Sequence, residues 1–179
     1  MESNIEIAKI LFNEGKYQEA IDISNELLSI DNSSLDALRL KAKSLMSIGK
    51  LENARFCFEK MLIVKPNDYE AIKDIGNIYH GLNDINTAKV YYKKSISINS
   101  SYAPALSNLG GLELILGNDK EALSLTIKAT QLDPELANAW ANLASIYIKL
   151  SRHKESEISI RKAIELNPNS YNYHFLLGK

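Results

Sequence analysis

The sequence predicts an all-α solenoid of helix–turn–helix repeats. Three observations predict it: a small residue that returns every 34 positions, a turn-forming residue in the middle of each period, and an apolar face with helical spacing. The small residues are Ala8, Ala42, Gly76, Gly110, Ala144 and Gly178, and a second set follows as Ala20, Ala54, Ala88, Ala122 and Ser156. Five periods fill residues 1–34, 35–68, 69–102, 103–136 and 137–170, and residues 171–179 restart the pattern at Leu177-Gly178 without insertion or deletion. The chain reads as one domain, because a single helical hairpin cannot bury its apolar face and stacked units can.

In each period, positions 1–14 and 18–31 read as helices. The first period carries Ala8 and Leu11, turns at Gly15 and resumes at Ala20. In the second, Ala54, Phe58, Met61 and Leu62 recur at i, i+4, i+7 and i+8, one face of a helix. The third has Gly76, Tyr79, Ala88 and Tyr92, with Asn83 where the others have a mid-unit glycine. In the fourth, Gly117 makes the turn and Glu113 stands where its counterparts are apolar. The fifth has Trp140, Leu143, Ala144 and Tyr147, and turns at Ser151. Glycine ends a helix cheaply because it accepts a left-handed conformation. Pro66, Pro134 and Pro168 close three of the units, since proline cannot continue a helix interior, and Asn32 and Ser100 take that place in the other two. Small residues suit close helix crossings, with Leu, Tyr or Phe in the flanking grooves.

Composition narrows the function. A formal charge of −1 and a pI near 6.3 give no electrostatic case for a nucleic-acid or anionic-membrane binder. The longest apolar runs are a few residues, far short of the ~20 that cross a bilayer. Glu2, Glu6, Glu14 and Glu19 exclude a secretory signal. The single cysteine, Cys57, cannot form an internal disulfide. These features together predict a cytoplasmic protein. His80, His153 and His174 fall in different units, Cys57 has no partner histidine, and Gly110-Gly111 belongs to the packing column rather than to a phosphate loop. The expectation is no enzyme, no metal and no cofactor.

These columns resemble the tetratricopeptide repeat, with its W-x2-L-G-x2-Y, A-x3-F and P pattern. The fifth unit matches at Trp140, Leu143, Ala144, Tyr147 and Pro168, and the second at Ala54, Phe58 and Pro66. The resemblance implies a right-handed superhelical solenoid whose first helices line a concave groove for a peptide or protein segment. By its positions the groove would include Glu2, Ile5, Glu6, Lys9, Phe12 and Asn13 from the first unit and Asp36, Arg39, Leu40, Lys43, Met46 and Ser47 from the second. Two family patterns are matched in part. Lys73, Asn77 and Asn108 fit three places of a carboxylate clamp, while Asn138 and Asn142 replace its further cations. Asn108 and Asn142, with Asn138 nearby, also resemble a short piece of the asparagine ladder of O-linked N-acetylglucosamine transferase, where amides bond a peptide backbone.

The charge is uneven, from −5 in the first unit to +3 in the second, and Arg39, Lys43 and Lys73 are expected to form a basic stripe that favours an acidic ligand. The expected function is therefore a protein-interaction scaffold with ligand residues Arg39, Lys43, Lys73, Asn77, Asn108, Asn138 and Asn142. It would bind a protein or peptide partner, with no nucleic acid and no membrane insertion. Two rival readings stand beside it. Residues 171–179 leave Phe175, Leu176 and Leu177 on a half repeat, which would favour self-association. The pattern also stops in mid-unit, as in the targeting region of a larger enzyme such as a glycosyltransferase, and predicts a truncated chain with a natural start at Met1.

Overall fold

A computed structural model describes residues 2–178. Eleven helices and no strand occur among the described residues: α1 (Glu2–Asn13), α2 (Tyr17–Ile30), α3 (Leu35–Ser47), α4 (Leu51–Val64), α5 (Tyr69–Gly81), α6 (Ile85–Ile98), α7 (Ala103–Ile115), α8 (Asp119–Leu132), α9 (Ala137–Lys149), α10 (His153–Leu166) and α11 (Tyr171–Leu177). They form two compact units, one up to Tyr91 and one from Tyr92 onward, with α6 contributing to both.

Each second helix starts one residue earlier than the sequence predicts, and the turn before it explains why. Gly15 N–H donates to Phe12 O at 3.0 Å and Lys16 N–H to Leu11 O at 2.9 Å, the two bonds of a Schellman closure. The same pair recurs at Gly49/Lys50, Asn83/Asp84, Gly117/Asn118 and Ser151/Arg152. The turn residue is left-handed every time, including Asn83 (φ 62°) and Ser151 (φ 58°). Because Schellman closure leaves a single residue before the next helix, α2, α4, α6, α8 and α10 all begin at position 17 of their period.

The link between periods has a second device. The Asp31, Asn99 and Asp133 Oδ1 atoms accept from the N–H groups of Ser33, Ser101 and Glu135 at 3.0–3.1 Å. These short Asx turns tighten the chain beside the proline column. In the second period, where Lys65 takes that place, Asp68 caps α5 instead, accepting from Ala71 N–H at 3.0 Å.

In the first unit the core joins Ile21, Leu38, Leu45, Phe58, Met61, Ile75 and Ile78 around the fully buried Ala42 and Ala54. The second unit packs Ala103, Leu106, Ala129 and Ala139 in one cluster, and Ala144, Ile160, Ala163 and Tyr173 in another. The departures from pattern have local explanations. Ser156 replaces alanine because its hydroxyl donates to Ala144 O at 3.1 Å. Glu113 is completely buried, and its Oε2 accepts from Asn118 Nδ2 at 2.6 Å across the turn that follows α7. Trp140 is half-buried: it packs on the Ala144 cluster and its indole N–H donates to Pro134 O at 2.8 Å.

Candidate functional site

In the first unit, α1 and α3 are neighbours and leave a cleft of about 310 Å³ between them. Lys9, Phe12 and Asn13 line it from α1, and Asp36, Arg39, Leu40 and Lys43 from α3. Residues 36, 39, 40 and 43 share one helical face, so the sequence alone aims them together. The floor is apolar: Leu40 is buried and Phe12 sits edge-on to Tyr17 at 5.5 Å. The rim is charged.

Arg39 is held from α5. Its Nη2 donates to Asp68 Oδ2 at 2.7 Å and its Nη1 to Glu70 Oε2 at 3.0 Å. Asp68 is only 3% exposed, and it serves twice, as cap of α5 and as counter-ion. Lys73 pairs with Asp74, which also accepts from Asn77 Nδ2 at 3.3 Å. The basic stripe expected from Arg39, Lys43 and Lys73 is thus corrected. Two of the three cations are neutralised by carboxylates of α5 and the link before it, and Lys43 alone of them makes no ion pair among the described residues.

In the second unit, the asparagines tie first helices to one another. Asn142 Nδ2 donates to Ser107 O at 3.1 Å and to Ser107 Oγ at 3.0 Å. Gly111 makes room for that amide, since a Cβ there would lie 3.3 Å from Asn142 Nδ2. Asn138 Oδ1 accepts from the Tyr173 hydroxyl, and Lys149 Nζ donates to Leu114 O at 3.0 Å while pairing with Asp119 at 2.6 Å. Asn108 lies on α7, one residue beyond the Ser107 that holds Asn142. All three cross-links span 35 residues, one period plus one, which is the lateral spacing of adjacent first helices.

Sequence reasoning missed Asp68 and Tyr173. Asp68 carried a usable signal, an acidic residue directly before a helix start. Tyr173 carried none, since its partner is a whole period away. Cys57 is buried, and burial pushes its thiol up, away from the reactive thiolate. Among the described residues no group of three His, Cys, Asp or Glu side chains is placed to hold a metal ion.

A family model described as tetratricopeptide repeat matches residues 70–102 and 137–170, and one described as anaphase-promoting complex, cyclosome, subunit 3, matches residues 2–61. The first of these places tetratricopeptide repeats in the third and fifth periods. The chain carries tetratricopeptide (TPR) repeats. TTC0263, a thermophilic TPR protein in Thermus thermophilus, is 18% identical with a TM-score of 0.83, covering 99% of this chain and 96% of that one. A chain of the APC/C hetero-tetramer Cut9–Hcn1 is 18% identical with a TM-score of 0.92, over 97% of this chain and 35% of that one. YrrB, described as a TPR protein with an unusual peptide-binding site, is 20% identical with a TM-score of 0.63, over 98% of this chain and 91% of that one. No curated protein matches the sequence. At these identities the structures establish the TPR solenoid fold. No helix among the described residues is long and apolar enough to cross a membrane.

Proposed function

We propose that this TPR chain is a protein-interaction scaffold that holds an extended segment of a partner against the exposed faces of its first helices. The observation that carries the reading is the α1–α3 cleft, an apolar floor of Phe12 and Leu40 under a charged rim. A rim of this kind orients a segment while the floor buries one of its side chains. Lys73 and Asn77 in the first unit and Asn108, Asn138 and Asn142 in the second remain proposed ligand residues, although the bonds of Lys73, Asn77, Asn138 and Asn142 within the protein shift the weight of binding toward Phe12, Leu40 and Lys43. The TPR fold serves typically as a non-catalytic interaction module, and the peptide site named for YrrB supports the same use here.

The test is capture from lysate with wild type, a Phe12→Ala/Lys43→Ala variant, and a Phe56→Ser control on α4. A partner kept by the control and lost from the cleft variant is the expected result. A partner kept by both moves the interface off the first helices. One observation favours a second reading, self-association: Tyr171 and Phe175 of α11 are exposed and stacked, with centroids 6.4 Å apart. Light scattering over a concentration series separates the two, because only self-association raises the mass.

A further inference from the structure

We propose that the outer face of α2 and α4 binds a second copy of the chain, with α2 of each copy lying on α4 of the other about a two-fold axis. The inference goes beyond the cleft reading and uses none of the residues that line the cleft.

Both helices pack on α3 and share one core. They hold equal places in successive periods, so equal repeat positions point the same way. α2 turns Ala20, Ile21, Ser24 and Leu27 inward, and α4 turns Ala54, Cys57, Phe58 and Met61 inward. The outward faces differ in kind. Every charged residue of α2 is acidic, and Glu19, Asp22 and Glu26 are exposed. On α4, Arg55 is held between Glu52 and Glu59 at 2.7 and 2.5 Å, which leaves Lys60 as the exposed charge outside that network. Its Nζ lies over the Phe56 ring, 4.9 Å from the centroid. Large apolar side chains stand beside these charges: Phe56 is 59% exposed, Ile63 81%, Val64 51%, and Ile30 at the end of α2 68%. No other second helix is apolar at both of the places held by Phe56 and Ile63. Exposed apolar residues gathered on one face mark an interaction surface.

A face that is acidic on one side and apolar and cationic on the other is complementary to itself. A two-fold axis can bring two such faces together in two ways. An axis across the helices lays α2 on α2 and α4 on α4. That sets acid against acid and Lys60 against Lys60, which repulsion rejects. An axis along the helices lays α2 on α4 and matches equal repeat positions. Glu26 then meets Lys60, and Ile30 meets Ile63 and Val64. Because Lys60 leans over Phe56, one turn earlier, its ammonium falls between Glu26 and Asp22 of the second copy. Each contact occurs twice. The charges fix the register, and burial of Phe56, Ile63 and Val64 supplies the attraction.

The experiment is sedimentation equilibrium of the full chain over a concentration series. Wild type is expected to pass from monomer to dimer and stop there. Lys60→Glu should weaken the dimer roughly ten-fold, since two exposed ion pairs become two repulsions. Glu26→Lys should do the same. The chain carrying both Lys60→Glu and Glu26→Lys should return to within about three-fold of wild type, because the swapped charges meet again. Phe12→Ala/Lys43→Ala should dimerise as wild type does. A monomer at every concentration overturns the proposal and leaves the cleft reading standing. So does a mass that grows past the dimer, or a charge swap that fails to restore association. Association kept by Lys60→Glu and lost from Tyr171→Ser/Phe175→Ser also overturns it, and puts the contact on α11.

Discussion

Asn83 and Ser151 hold the left-handed turn with φ of 62° and 58°, where Gly15, Gly49 and Gly117 hold it at 78°, 75° and 82°. A side chain in that region costs about 1 kcal/mol through contact of Cβ with the backbone, least for Asn. Ser151→Gly should therefore stabilise the protein by up to about 1 kcal/mol, and Gly117→Ala should destabilise it similarly. Both are checked by urea midpoints. Nothing lies within 4 Å of a Cβ built at Gly117, so that cost is conformational alone. Gly110 is the opposite case. Its φ is ordinary, but a Cβ would fall 2.2 Å from Thr126 Oγ1 and 3.2 Å from Ala122 O. Thr126 is fully buried and the second neighbour is backbone, so Gly110→Ala should cost about 2 kcal/mol by overpacking. Equal stability of wild type and Gly110→Ala would show that α7 and α8 can separate without penalty.

At the scale of the element, helix ends and links hold carboxyls and amines whose titration is shifted. Hydrogen bonds from Ser33, Thr87 and Arg152 hold the carboxyls of Asp31, Asp84 and Glu155 below their ordinary values. A lowered folded-state pKa gives stability that is present above the unfolded value and lost as pH falls through the folded one. The Glu6 and Glu14 carboxylates raise Lys9 and Lys16, whose contribution is present below the unfolded value and lost as pH climbs above it. Denaturation midpoints should form a plateau through neutral pH and fall at both ends. The Asp31→Asn/Asp84→Asn/Glu155→Gln variant should show a shallower acid limb, and an unchanged limb would remove these carboxyls as its cause.

What the sequence makes legible follows from range. The mid-unit turns, the proline links and the small-residue columns are local and repeat every 34 residues, so spacing alone reveals them. The state of the site residues is another matter. Arg39 looks like a free cation until Asp68 and Glu70 arrive from 29 and 31 positions away, and Asn142 looks like a ligand-facing amide until Ser107 arrives from 35. Helix register sets those encounters, and no single window of sequence contains both partners. Glu113 shows the same limit: its column marks it as misplaced, but only the turn geometry brings Asn118 to it.

At the scale of the whole molecule, equal sequence positions do not carry equal weight. Ile78, Leu112 and Ile146 are fully buried at the tenth position of their periods, whereas Ile10 at that position is 55% exposed. Each of the three lies on a first helix that follows a second helix of the preceding period. In a repeat protein stability is close to a sum of unit and nearest-neighbour terms, so a first helix whose tenth position is exposed opens at lower cost. Hydrogen exchange should find α1 amides less protected than those of α3, α5, α7 and α9. Protection in α1 equal to that of α5 would mean that its covered face alone holds it.

Cys57 and Trp140 have a further use for the experimentalist. The chain has one thiol, buried in the first unit, and one tryptophan, packed in the second. A thiol reagent reaches Cys57 only when the first unit opens, and indole fluorescence changes when the Trp140 environment loosens. The unaltered protein therefore carries two independent reporters, one chemical and one optical. Labelling and emission followed in the same denaturant series reveal whether its halves melt as one cooperative block or in sequence.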